Sequence, residues 1–195
     1  GDLELVKRLV QVTPGLERRR RGDDGAYPIH CACAGGRLEV VRWLDEQGVD
    51  LDVGDNDRTQ PIHYAAASNN IELLRWLHED RGVPLDVRDG HDEQPIHVAA
   101  SNKGFAAVRW LCERGVPADV RGKNGATALR PAAQSGDTDL VRWLVEEKGL
   151  PVDEVLHFSC DTSGRTLPAG SEHFRQPIHE AALFGHLETV RYLHG

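Results

Sequence analysis

Gln60-Pro61-Ile62-His63-Tyr64-Ala65-Ala66 is the stretch on which the reading of this chain turns. The pattern appears earlier as Tyr27-Pro28-Ile29-His30 and later as Gln94-Pro95-Ile96-His97. It degrades to Thr127-Ala128-Leu129-Arg130 and returns intact as Gln176-Pro177-Ile178-His179. The intervals between copies are 33, 34, 33 and 49 residues. A second marker keeps step: Val41-Arg42-Trp43-Leu44, Leu74-Arg75-Trp76-Leu77, Val108-Arg109-Trp110-Leu111, Val141-Arg142-Trp143-Leu144 and Val190-Arg191-Tyr192-Leu193. Two unrelated markers at identical intervals define an internal repeat.

Each unit has a physical reading. Proline suits the first turn of a helix, where its missing N–H leaves no bond unmade. The alanines that follow let neighbouring helices approach closely. A polar or glycine break comes next, at Gly35-Gly36, Asn69-Asn70 and Ser135-Gly136. Leu38, Val40, Val41 and Leu44 then recur at helical spacing and predict a second amphipathic helix. Gly48, Gly82, Gly115 and Gly149 stop that helix, as a C-terminal glycine does. Leu51-Asp52-Val53 and its copies form a short extended piece, followed by a turn rich in Asp, Asn and Gly.

Helix, turn, helix and hairpin at a period near 33 resembles the ankyrin-repeat family over the whole length of the chain. Pro-Ile-His is a close variant of that family's Thr-Pro-Leu-His signature. The resemblance implies an all-α solenoid forming a single domain over 1–195. Its units are a partial repeat at 1–26, full repeats at 27–59, 60–93 and 94–126, a repeat at 127–175 with a long hairpin insertion at 155–175, and a partial last repeat at 176–195. The chain opens and closes inside a repeat and contains no methionine, so it is expected to be a piece of a longer protein.

Composition narrows the function. The net charge of −8 argues against general affinity for nucleic acid. No apolar run reaches the roughly 18 residues of a membrane span. Four cysteines, Cys31, Cys33, Cys112 and Cys160, make no regular framework and predict reduced thiols. Cytoplasmic localisation is expected, with the nucleus as the alternative. No nucleophile–base arrangement or phosphate-binding glycine loop is present. No enzyme activity, cofactor or metal site is therefore expected.

Several residues could still carry function. By the resemblance, His30, His63, His97 and His179 are structural, bonding to backbone near the signature and tying adjacent units; Arg130 replaces this histidine and, with Pro131, predicts a weaker or kinked unit. The arginine row reads as self-paired, through Glu39, Glu72, Asp139 and Glu188 three residues earlier, with Arg109 lacking such a partner. The tryptophan row reads as packing under arginine stems. Cys31 and Cys33 do not share a helix face, and Cys33 reads as a buried small residue. Arg18-Arg19-Arg20-Arg21 reads as a solvated loop, a localisation signal or a contact for an acidic partner. His157, Cys160, His173 and His179 approximate zinc-ligand spacing, but Pro168 and Gly170 oppose the helix a classical finger needs. The insertion at 155–175 reads instead as a mobile binding loop.

The resemblance also implies a function: binding another protein through hairpin tips and the groove side of the first helices. Carried onto this chain, the tip candidates are Asp55, Asp57, Arg58, Arg88, Asp89, His91, Asp92, Arg121, Lys123 and Asn124. Tyr64 is a candidate anchor, with Cys31, Val98 and Glu180 at equivalent groove positions. The expected protein is a monomeric adaptor; the alternative is a regulatory or targeting segment of a larger enzyme or channel.

Overall fold

A computed structural model describes residues 3–13, 15–153, 156–158 and 173–195. Helix α1 (Leu3–Val12) is the second helix of the partial first unit. The next unit pairs α2 (Pro28–Ala34) with α3 (Leu38–Glu46), and the one after pairs α4 (Pro61–Ala67) with α5 (Ile71–Arg75). Helices α6 (Pro95–Ser101) and α7 (Phe105–Glu113) follow, then α8 (Leu129–Ser135) and α9 (Thr138–Glu146). The last pair is α10 (Pro177–Leu183) and α11 (Leu187–His194).

The first helices α2, α4, α6, α8 and α10 each have seven residues. An isolated helix shorter than about 12 residues is marginal in water, so these form only by stacking. Each first helix packs on the first helix of the next unit, and among the second helices α1 meets α3, α5 meets α7 and α9 meets α11. The alanines make this approach possible: Ala65, Ala66, Ala99, Ala100, Ala132 and Ala133 are fully buried. Ile29, Ile62 and Ile96 from the signature meet Leu44, Leu77, Leu111 and Leu144 from the second marker in one continuous core, all at 0% exposure. Each such side chain contributes roughly 1.5–3 kcal/mol relative to exposure.

The four stop glycines sit at φ of 75, 71, 92 and 69°, in the left-handed region that a side chain resists. The distance from tryptophan to stop glycine takes two values: Gly48 and Gly115 lie five residues after their tryptophans, Gly82 and Gly149 six. After Trp76 the extra residue is absorbed by a wider π turn over Trp76–Asp80, where Arg81 N–H bonds to Trp76 O at 3.2 Å, and after Trp143 by the bond of Lys148 N–H to Trp143 O at 3.2 Å.

Three expectations change. Unit 127–175 keeps a seven-residue first helix despite Arg130 and Pro131, so the unit is not kinked there. The arginine row is paired as read at Arg42–Glu39 and Arg191–Glu188, but Arg75 pairs with Glu79 rather than Glu72, and Arg109 has a partner after all, Glu113 one turn later. Arg142 lies over the Tyr192 ring at 5.5 Å. The base of the insertion is an antiparallel ribbon, β1 (Leu156–Phe158) on β2 (His173–Arg175), that lies beside the turn at Lys123–Gly125. Residues 159–172, including Cys160, fall outside the described residues. The tryptophans pack as expected, with Arg42, Arg114 and Lys148 over Trp76, Trp110 and Trp143.

Candidate protein-binding surface

The hairpins are built from their first residue outward. Asp55 Oδ1 accepts from the backbone N–H of Asp57 and Thr59, both at 2.9 Å, and Oδ2 accepts from the Tyr64 hydroxyl at 2.6 Å. Asp89 repeats the arrangement, accepting from His91 N–H at 2.8 Å and Glu93 N–H at 2.9 Å. An aspartate that satisfies turn amides in this way fixes the turn. Both are therefore buried, at 8% and 5% exposure, and are not the exposed tips the sequence suggested. Tyr64 is half-buried, with its hydroxyl held by Asp55 and its ring 5.3 Å from His30. Burial and the adjacent carboxylate push its phenol far above the usual range, so it stays a neutral donor. Glu180 is likewise buried rather than groove-facing.

The remaining candidates are exposed: Asp57, Arg58, Arg88, His91, Asp92, Arg121 and Lys123. Asn124 lies in the turn at Lys123–Gly125. Arg58 and Asp92 occupy equivalent tip positions at φ of 59 and 66°, where glycine would be easier. Adjacent hairpins are bonded together. Asn56 N–H donates to Asp24 O at 3.0 Å, and Gly90 N–H to Asp57 O at 2.5 Å. A Cβ at Gly90 would meet that same carbonyl, so the approach requires glycine. Arg88 donates to Arg121 O at 2.9 Å and pairs with Asp92 at 3.1 Å. The charged tips thus form one continuous edge rather than separate loops.

The signature histidines anchor this edge. His30, His63 and His97 accept at Nδ1 from the N–H of Tyr27, Gln60 and Gln94. That acceptor role places the proton on Nε2, which donates to Val53 O, Glu93 O and Val120 O at 2.8, 3.2 and 3.0 Å. Each histidine ties a first helix to the hairpin that closes its own unit, and the next first helix departs from that hairpin. Desolvation holds all three below the ordinary histidine value. Besides the hairpin bonds, further direct links to the neighbouring unit lie at the opposite end of the helices: Asn70 to Gly36 O, Asn69 to Ala107 N–H, Ser135 to Ala100 O and His186 to Gln134 O.

Unit 127–175 departs from this scheme. Arg130, standing where histidine is expected, reaches the buried carboxylate of Glu180 in the next unit at 3.3 Å. His179 keeps its Nδ1 bond to Gln176 N–H at 3.0 Å but is exposed. Groups of three or more metal-ligating side chains are absent among the described residues. No helix among them is long and apolar enough to cross a membrane.

A family model for ankyrin repeats in three copies matches residues 1–89 and 81–155, and one for ankyrin repeats in many copies matches 131–194. The chain belongs to the ankyrin-repeat family. Its solenoid and its hairpin edge are those of an ankyrin array, and such repeats mediate protein–protein interaction. The chain is also similar to Protein phosphatase 1 regulatory subunit 27 of Mus musculus, with 37% identity over 57 residues. The Homo sapiens protein of the same name gives the same identity over the same length. That match covers 29% of this chain and 36% of the relative, so the chain spans about a third of the length of the curated relatives it matches.

Proposed function

We propose that this ankyrin array is a non-catalytic binding module that engages a partner protein along its hairpin edge. The observation that carries this reading is the bonded edge itself. Arg58, Arg88, His91, Asp92, Arg121 and Lys123 are exposed on hairpins that buried aspartates, histidine ties and cross-hairpin backbone bonds hold in place. Side chains held at fixed spacing lose little freedom on binding, which favours recognition over a broad surface. The side chains of Arg58 and Lys123 make no hydrogen bond or ion pair among the described residues, so their charge is open to a partner.

The test is affinity capture in parallel with wild type and a variant carrying Arg58→Glu, His91→Glu, Arg121→Glu and Lys123→Glu, folding being checked by circular dichroism. A protein retained by wild type and lost by the variant supports hairpin-edge recognition. Identical captured sets remove it.

A second reading draws on the regulatory-subunit relatives: the array acts on a phosphatase, as a regulatory segment rather than a general adaptor. Purified protein phosphatase 1 catalytic subunit tests it directly. Saturable binding with altered dephosphorylation of a phosphoprotein supports this reading, and no binding at micromolar concentration removes it.

A further inference from the structure

The basic run Arg18–Arg21 lies outside the edge described above, at the start of the stack. It is folded onto the first full unit. Arg18 donates to Gln47 O and Gly48 O at 3.0 and 2.9 Å. Arg20 donates to Gly54 O at 3.3 Å, and its guanidinium lies 5.1 Å from the centre of the Tyr27 ring. Arg21 is paired with Asp24. Arg19 is exposed, and its side chain makes no hydrogen bond or ion pair among the described residues.

Between this run and the start of α2 is a cleft of about 240 Å³. Its floor is apolar, formed by Leu16, Ala26, Tyr27 and Pro28. Arg19, Arg20 and Arg21 line it, and the exposed Cys31 stands at its side. A cleft of this size admits a side chain rather than a folded surface.

We infer that this cleft docks an acidic linear segment of a partner protein, with one aliphatic side chain on the apolar floor and flanking carboxylates on Arg19 and its neighbours. Charge complementarity carries the assignment. Three guanidiniums line the cleft in a chain of net charge −8; Arg20 is held on Gly54 O and Arg21 on Asp24, and these bonds fix the backbone that presents the unengaged guanidinium of Arg19. The bonds to carbonyls also count against a localisation signal, since an extended run would have to surrender them. Nucleic acid fits less well, because Arg20 already covers the aromatic ring on which a base would stack.

The probe is a fluorescein-labelled heptapeptide of glutamate and aspartate around one central leucine, followed by fluorescence anisotropy. Wild type binds saturably, more weakly as salt is raised from 50 to about 200 mM. Arg19→Glu weakens binding by about tenfold or more, and replacing the peptide's leucine by serine weakens it several-fold. Cys31→Trp, which narrows the cleft from its side, serves as an independent variant and also weakens binding. The Arg58→Glu, Arg121→Glu and Lys123→Glu variant binds the probe like wild type, which separates this cleft from the hairpin edge. No saturable signal up to about 1 mM peptide, equal binding by Arg19→Glu, or equal competition by a single-stranded RNA overturns the inference.

Discussion

Unit 60–93 and unit 127–175 are copies of one pattern held by different chemistry. In the first, the fully buried His63 binds Gln60 N–H and Glu93 O as a neutral imidazole. In the second, Arg130 stands in its place and bonds across to Glu180 in the following unit. A short hairpin can be held by one imidazole. Where the insertion lengthens the hairpin, the first helices are joined to each other instead, by charge. The hydroxyl pair Thr138–Thr189 at 2.8 Å and the Tyr192–Glu146 bond at 3.1 Å add to the same junction. The inner units thus close their own hairpins through neutral histidine ties, whereas in the last two units charged and hydroxyl side chains join one unit to the next.

The largest effect is expected from breaking a neutral tie. His63→Ala leaves a buried N–H and carbonyl without their partner and opens space beside Ile62, costing about 2–4 kcal/mol in urea denaturation. His179→Ala, at an exposed copy, costs less than about 1 kcal/mol. Equal losses at the two sites would erase the distinction.

Next in size is the charged junction. Glu180→Gln keeps the shape and removes the charge facing Arg130, for about 1–3 kcal/mol. The loss is confined to α10 and α11, measured as faster amide exchange there with α4 and α6 unchanged.

Much of this was legible in the sequence, and the limits have physical causes. The period, the helix starts at Pro61 and Pro95 and the stop glycines follow from local chemistry and are found where they were read. The wide turn at Trp76–Asp80 has its counterpart in the sequence, where Gly82 and Gly149 lie six residues after their tryptophans and Gly48 and Gly115 five. Asp55 and Asp89 were misplaced because an aspartate opening a turn has the same letter whether its carboxylate faces water or the turn amides. Arg109 has no acid on the preceding turn and pairs forward instead, with Glu113 four residues ahead, because a helix offers a partner on either side. Arg130 and Glu180 are 50 residues apart across the insertion, and only the absence of the expected histidine hinted at another partner.

Acid sharpens the comparison from another side. His30, His63 and His97 have folded values below the ordinary 6.5, so the unfolded chain takes up protons first. Their contribution is complete above pH 6.5 and is lost as pH falls below it, toward the lowered folded values. Glu93, raised by burial and by Asp89, acts in the opposite sense and offsets part of the loss. The melting temperature should fall from pH 7 to about pH 5.5, and His63→Gln should flatten that slope. A melting temperature constant over this range would show that the imidazoles are not held neutral.

The smallest effect belongs to the outer ladder of ion pairs on the second helices. Arg81→Ala removes the 2.9 Å contact with Asp45, and Arg114→Ala the contact with Glu79. Each is expected to cost less than about 1 kcal/mol and to vanish in high salt. A larger loss would mean that the second helices, and not the histidine ties, set the rigidity of the hairpin edge.

Hydrogen exchange followed by mass spectrometry, on wild type and on His63→Ala, addresses that rigidity directly. The hairpin at 53–59 and the hairpin at 87–93 should be protected in wild type to nearly the level of α4. In His63→Ala the 87–93 hairpin should exchange at least about tenfold faster, with the 53–59 hairpin less affected. If both hairpins exchange at loop rates in wild type, or if His63→Ala leaves them unchanged, the histidine ties do not hold the edge and its fixed spacing cannot be the basis of recognition.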